Sequence, residues 1–404
     1  MDRAGGPKRP ALILGGRFLW ALAMVRSLGR RGVPVYVTAT RGHFVSYSRW
    51  HRAAPAEWGE APSPTTLCDY LTGVPHEGMV LIPPTDEWAL AVARLPAPLA
   101  ARFPTSLPPL ASLEVLVDKG RFAAVLERLG VPHPRTVCVG PEEDWARLPA
   151  DAFADAFLKP RDSQAFRRRF GVKALRFKTP DEAVSLAREA GQGGLELMLQ
   201  EYVPGPPSHH YMVEGFVDRT GRVCARFVRQ RLRMFPPDFG DSTYMVSVSL
   251  DRVRAAVDSL DRLLAHLSYR GVFEAEFKYD ARDGQFKLLE VNGRPWYFIG
   301  FAADCGVDFC AMAYRDALGL AVEPVRTYAP GRHCVVGSDR SACWALFRQG
   351  QLSAWAWLRS WIGARQMLFS WDDPIPGFVR ILQSLWMSTV RKLGGMVASG
   401  QGRR

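Results

Sequence analysis

The chain has no CxxC pair, no GxGxxG fingerprint, no Ser-His-Asp or Cys-His order, and no long uncharged apolar run. Each absence removes a class of function. Seven cysteines, Cys68, Cys138, Cys224, Cys305, Cys310, Cys334 and Cys343, are odd in number and scattered. They fit reduced, mostly buried thiols and exclude a disulfide framework or a zinc ribbon. No window reaches the ~18 apolar residues of a spanning helix. Behind the basic start the apolar run is only Ala11–Leu14, shorter than the ~7–15 residues of a secretory signal. The expectation is a soluble cytoplasmic protein. Acid is also in short supply, with 40 Asp plus Glu against 52 Lys plus Arg and a net charge of +12. Such a surplus favours nucleotides, nucleic acid or an acidic membrane surface, or has no specific partner at all. Nucleic acid is disfavoured, because the basic–aromatic motifs of the usual modules are missing.

What remains is globular. The 404 residues are 48% hydrophobic and 23% charged, enough for roughly two to three domains. Pro10–Leu14, Gly15-Gly16, a helical pattern through Trp20, Met24 and Leu28, and Val33–Val37 read as strand, turn, helix, strand. That order is an α/β unit with a parallel sheet. Met79–Ile82 adds a strand, and its following loop shares a cleft with the Gly15-Gly16 turn. Without the full fingerprint, a dinucleotide-dependent oxidoreductase is the weaker reading of that turn.

Further along, Asp118–Leu129 reads as a helix stopped by Gly130 and Pro132. Phe157–Pro160 closes a strand and Val172–Phe177 opens another, with Arg161, Arg167, Arg168 and Arg169 between them. Leu197–Tyr202 is a strand that runs into a Pro-rich turn. Tyr211–Val217 and Val223–Val228 form a hairpin over Asp218–Gly221, and Val272–Tyr279 and Phe286–Val291 form a second. Asp251–Leu267 is helical by periodicity.

The second hairpin carries the chemistry. Glu290 and Asn292 share a strand face, and Glu276 lies on the paired strand. If Glu276 points the same way, two carboxylates and an amide oxygen converge, a costly arrangement without a cation. Oxygen-only ligands suit Mg²⁺. Two exposed acids on a surface hairpin would give the same pattern. Lys159 at a strand end, Asp118-Lys119 at a helix start and Gln200-Glu201-Tyr202-Val203 complete an order and spacing that chance explains poorly.

On these motifs residues 10–320 resemble the ATP-grasp superfamily, the fold of biotin carboxylase and D-alanine–D-alanine ligase. Arg226–Pro237 and Phe166–Gly171 are similar to segments of a carboxylate–amine ligase-like branch related to D-aspartate ligase. The resemblance implies an α/β and α+β chain with four parts. These are a Rossmann-like pre-ATP-grasp parallel-sheet domain (1–112), a small subdomain with a phosphate lid (113–208), a large subdomain with the metal and substrate site (209–325), and a helical C-terminal extension (326–404). It implies an ADP-forming ligase using ATP and Mg²⁺ (or Mn²⁺), acting on a small carboxylate and an amine. A regulatory protein that binds ATP without turnover is the alternative. Lys119 and Lys159 would contact phosphates, Glu201 and Val203 the adenine edge, and His210 the ribose. Glu276, Glu290 and Asn292 would hold metal. Arg294 would stabilise the acyl-phosphate, and Arg231 would lie near the reaction centre. The lid, Arg-rich where the superfamily is Gly-rich, would close through charge.

The extension is Trp-rich. Phe378, Ile381, Leu382, Leu385, Trp386, Met387 and Val390, flanked by Arg380, Arg391 and Lys392, form an apolar stripe. It fits a helix packed on the domain, a homodimer contact, or an interfacial helix on anionic lipid.

Overall fold

The computed structural model describes residues 8–386 apart from 17–18, 39–40, 56–61, 77, 140–144, 146–147, 162–165, 167–168, 238 and 385. The described chain divides into two compact units, each built from separated segments. The first takes residues up to Ser106, Pro295–Val322 and the residues from Arg365 onward. The second takes Leu107–Arg294 and Glu323–Ala364.

The first unit holds β1 (Ala11–Ile13), β2 (Val35–Val37), β3 (His51–Ala53) and β4 (Val80–Ile82), all parallel in the order β3-β2-β1-β4. Strand β1 is wholly buried, as the short apolar run requires of a parallel strand covered on both faces. Helix Leu19–Arg30 carries the chain from β1 to β2. At the turn after β1, Gly15 has φ +76° and donates to Thr38 Oγ1 at 2.7 Å. A Cβ there would lie 2.9 Å from Trp88 Nε1, so glycine is required for both conformation and space. Arg26 on the helix is buried and pairs with Asp373 at 2.9 Å, which ties the last described segment to this unit. Residues 375–384 are helical, and Phe378, Ile381, Leu382 and Trp386 are more than half exposed. The helix nonetheless touches its own unit, with Phe378 against Phe369, Arg380 over Phe44 and Gln383 donating to the Gly42 carbonyl. Leu385, Met387, Val390, Arg391 and Lys392 lie outside the described residues.

In the second unit, β5 (Thr136–Cys138), β6 (Ala156–Pro160) and β7 (Leu197–Glu201) form an antiparallel sheet in the order β5-β7-β6. A larger antiparallel sheet runs β12-β11-β8-β9-β10-β13. Its strands are β8 (His210–Val217), β9 (Val223–Phe235), β10 (Asp241–Ser247), β11 (Gly271–Asp280), β12 (Gln285–Asn292) and β13 (His333–Val335). Helices Lys119–Arg128 and Arg254–His266 cover one face, where Phe122, Leu126, Leu260, Leu263, Phe273, Phe277 and Leu288 form the core. Each such side chain contributes about 1.5–3 kcal/mol on burial. A one-residue slip of β11 would turn Phe273, Ala275 and Phe277 off that core, so the register is fixed and the alternate residues face away from it.

Two strand expectations need correction. Strand β9 continues to Phe235 and is followed by β10, where the sequence pattern stopped at Val228. Arg229, Arg231 and Arg233 alternate along it and look like loop polarity, but each is buried against an acid. The strand expected over Val172–Phe177 is reduced to a single bridge between Leu175 and Leu158.

Candidate active site

The alternation that buries Phe273, Ala275 and Phe277 places Glu274 and Glu276 on the opposite face of β11. Glu276 is directly opposite Glu290, and Glu274 is directly opposite Asn292. Opposed side chains on one face lie about 5 Å apart at Cβ. The register shifts immediately after the Glu276–Glu290 pair, so a bulge at Leu289 lets Leu288 return to the core while Glu290 faces the site. The condition set by the sequence, that Glu276 share the face of Glu290 and Asn292, is met.

Strands β8 and β9 supply the surroundings. His210 Nδ1 and Glu276 Oε1 are 2.8 Å apart, and Arg231 donates to the same oxygen at 2.9 Å and to Ser242 Oγ at 2.8 Å. Burial alone would push the Glu276 carboxyl up, but Arg231 and His210 hold it well below the usual carboxylate range. Burial, Arg231 and Lys278 push His210 down to about 4 against the pull of Glu276, so the imidazole is neutral at pH 7. It meets a carboxylate of the site in the position where ribose contact was expected.

Deeper in the same face lies a chain of charge that sequence reasoning missed. Arg294 donates to Asn292 Oδ1 at 2.9 Å, and Asn292 Nδ2 donates to Glu274 Oε2 at 3.0 Å. Glu274 then accepts from Arg229, which also donates to Glu214 at 2.5 Å. Burial pushes Glu274 up, with Arg229 opposing. The signal was present, because Glu214 is the one acid in an otherwise uncharged apolar run from Tyr211 to Val217.

Lys159, at the end of β6, donates to Gln200 Oε1 at 3.2 Å. Burial pushes its ammonium down, while Glu290 and Glu276 act in the opposite direction. Its two balancing charges are thus the opposed carboxylates of the larger sheet. Lys119 donates to the carbonyls of Pro160 and Arg161 at 3.1 and 3.2 Å, anchoring the end of β6. Asp118 caps the helix that Lys119 begins and pairs with Arg161 at 3.0 Å. Glu201 accepts from the Arg135 amide at 3.0 Å and pairs with Arg282 and with Lys287, the latter at 3.3 Å. Burial opposes ionisation, but these partners hold the Glu201 carboxyl below its ordinary value. Glu201 therefore sits at the turn end of the β11–β12 hairpin, away from Glu290. Val203 is buried just beyond it, beside an aromatic group in which Arg176 lies 4.5 Å over Tyr202 and Phe157 lies 4.9 Å from Phe239. Of the lid, Arg167 and Arg168 lie outside the described residues.

Among the described residues no group of three or more His, Cys, Asp or Glu side chains is arranged to hold a metal. The set here is two carboxylates and an amide. Both bonds to Glu276 from His210 and Arg231 land on Oε1, so Oε2 carries neither.

Comparison with known proteins bears on the fold. No protein-family model matches the chain. N5-carboxyaminoimidazole ribonucleotide synthetase, in its ADP complex, superposes with a TM-score of 0.64 at 17% identity over 87% of each chain. The biotin carboxylase–β,γ-ATP complex from Campylobacter jejuni superposes with a TM-score of 0.61 at 15% identity, over 81% of this chain and 74% of that one. The chain has the ATP-grasp fold. In sequence, D-aspartate ligase from Enterococcus faecium (strain Aus0004) is 27% identical over 199 residues, 46% of this chain. That match spans 47% of the length of the ligase. The ATP-grasp strands β6, β7, β11 and β12 carry Lys159, Glu201, Glu276, Glu290 and Asn292.

Proposed function

We propose that this ATP-grasp protein is an ADP-forming ligase that activates a carboxylate with ATP and passes it to an amine. The observation that carries the reading is the Glu276–Glu290 pair, opposed on one sheet face, with both carboxylates favouring the charged form of buried Lys159. Glu276, Glu290 and Asn292 fit Mg²⁺ or Mn²⁺, which take oxygen donors and share them with phosphate. When bound, such a cation neutralises phosphate charge and aligns the γ-phosphoryl group. Lys159 adds a cation on the β6 side, and Lys119 a second where it now holds the strand end. Val203 and the aromatic group after β7 border the adenine, Glu201 marks that end of the nucleotide, and His210 lies beside the ribose.

In the first step an oxygen of the substrate carboxylate attacks the γ-phosphorus and ADP leaves. In the second the amine nitrogen bonds to the carbonyl carbon, and phosphate departs with the C–O electron pair. Such chemistry needs alignment and charge neutralisation more than a protein nucleophile. Arg294, held by Asn292, stabilises the oxyanion, and Arg231 orients an acidic group near Glu276. The enzyme works in the cytoplasm on small molecules. An amino acid is the first substrate to test, given the resemblance to D-aspartate ligase.

The test is ADP release by pure protein with pooled amino acids and small carboxylates, with and without Mg²⁺. The ligase reading expects release that requires both a carboxylate and the cation. Tight ATP binding with no ADP release from any pool would instead make the chain a nucleotide-binding regulator.

A further inference from the structure

Helix Ala354–Trp361 is oriented contrary to its composition. None of its residues is buried. Its polar contacts turn inward: Trp361 Nε1 donates to Asp339 at 2.8 Å, and Ser360 accepts from Arg233 at 2.9 Å. Outward, at the spacing of one helix face, stand Trp355, Leu358 and Ile362, which are 68%, 54% and 67% exposed. The adjoining helix Asp339–Arg348 likewise exposes Trp344 and Phe347, whose rings stack 5.9 Å apart. A helix facing water ordinarily shows its polar side. Exposed apolar surface of this kind marks an interaction site.

The charge around it has one sign. From Arg340 to Ala364 there is no Asp or Glu, while Arg340, Arg348 and Arg359 are exposed and form no ion pair among the described residues. A cleft of about 490 Å³ lies beside the helix, lined by Tyr244, Arg332, His333, Arg359, Ser360 and Ile362 among others. Its volume suits a small ligand group. His333 stacks on Tyr244 at 5.2 Å, and its Nδ1 is buried without a hydrogen bond among the described residues. Ile362 belongs both to the cleft and to the outward face, so two cationic side chains open directly onto apolar surface.

We propose that this face docks on an anionic phospholipid membrane, with a headgroup phosphate held between Arg332 and Arg359. Trp355, Leu358 and Ile362 enter the interfacial layer, with Trp344 and Phe347 beside them. Tryptophan sits favourably at that depth, and arginine keeps its charge at the phosphates while its stem lies along apolar surface. A second copy of the chain fits poorly. A two-fold contact would bring the same arginines face to face with no acid between them. None of the residues lining the cleft is one assigned to the nucleotide or the cation, and the proposal stands or falls independently of the ligase reading.

The full chain is sedimented with phosphatidylcholine vesicles and with phosphatidylcholine–phosphatidylglycerol vesicles at low and high salt. Binding is expected to the mixed vesicles alone, weakened by salt. Arg332→Gln and Arg359→Gln should each lower the partition coefficient roughly five-fold. Trp355→Ser with Ile362→Ser should abolish binding while leaving the melting temperature unchanged, because both side chains are exposed. Failure of the parent chain to bind mixed vesicles, or equal binding by parent and variants, overturns the proposal. So does a light-scattering mass showing a dimer that the Ser variants dissociate. Saturation of the cleft by soluble glycerophosphate without vesicles, with vesicle binding absent, would make it a site for free phosphate and also overturn it.

Discussion

Arg229 on β9 bridges Glu214 on β8 and Glu274 on β11, with its guanidinium buried between them. Through Glu274 it reaches Asn292 and then Arg294, so the groups assigned to metal and oxyanion stand on a buried ionic footing. Removing one partner of such a network leaves a buried charge without compensation, which costs about 3–5 kcal/mol. Arg229→Met should therefore lower unfolding stability by that amount, because two carboxylates lose their cation at once. Glu274→Gln should cost less, since Arg229 keeps Glu214. Urea denaturation of the two variants checks the order, and equal losses would contradict the bridge.

Lys159 has Glu290 and Glu276 as its balancing charges and lies at the end of β6. Lys159→Ala should weaken Mg-ATP binding measured by calorimetry. Because its ammonium is already destabilised by burial, replacing it should leave the melting temperature nearly unchanged or raised. Unaltered ATP affinity would remove Lys159 from the nucleotide site.

Glu290 and Arg294 lie four residues apart and should fail differently. Glu290→Gln keeps size but loses one negative charge, so cation-dependent nucleotide binding should fall. Arg294→Lys keeps the charge but loses the planar fork that Asn292 holds. ATP should still bind, while turnover falls by roughly 10²–10³, the effect of one lost transition-state donor. Isothermal titration and ADP release separate the two, and wild-type ADP formation by both variants would refute the mechanism.

Much of this site was legible because its determinants are local. The hairpin turns at Asp218–Gly221 and Asp280–Gly284, and the period-two order of Phe273, Glu274, Ala275 and Glu276, fix which side chains share a face. The helix start at Asp118 and the glycine turn after β1 are equally local. Strand β9 beyond Val228 was not legible, because alternating arginines mimic a solvated loop until their acids are known. Those acids lie far off in sequence, as with Asp339, which is 106 residues beyond Arg233. The bulge that lets Glu290 face Glu276 is likewise a property of the pair, not of either strand. The separated segments of each unit follow from contacts with no local signature.

Asp339 makes the last case, and it is a case of pH. Its carboxylate accepts from Arg233 at 2.9 and 2.6 Å, from Thr243 at 2.7 Å and from Trp361 at 2.8 Å. Burial pushes the carboxyl up, but Arg233, Thr243 and Trp361 more than offset it, so the folded value lies below the ordinary 3.8. The unfolded chain thus takes up this proton first as pH falls. The group's contribution is present in full above pH ~4 and is lost progressively below it, as acid approaches the folded value. Asp339→Asn should destabilise the second unit by about 3–5 kcal/mol at pH 7, because buried Arg233 loses its counter-charge. The gap between parent and variant should narrow below pH ~4, where the parent loses the same charge. The fluorescence of Trp361 should report the released indole. A gap that stays constant from pH 7 to acid would mean that Asp339 is not held ionised by Arg233.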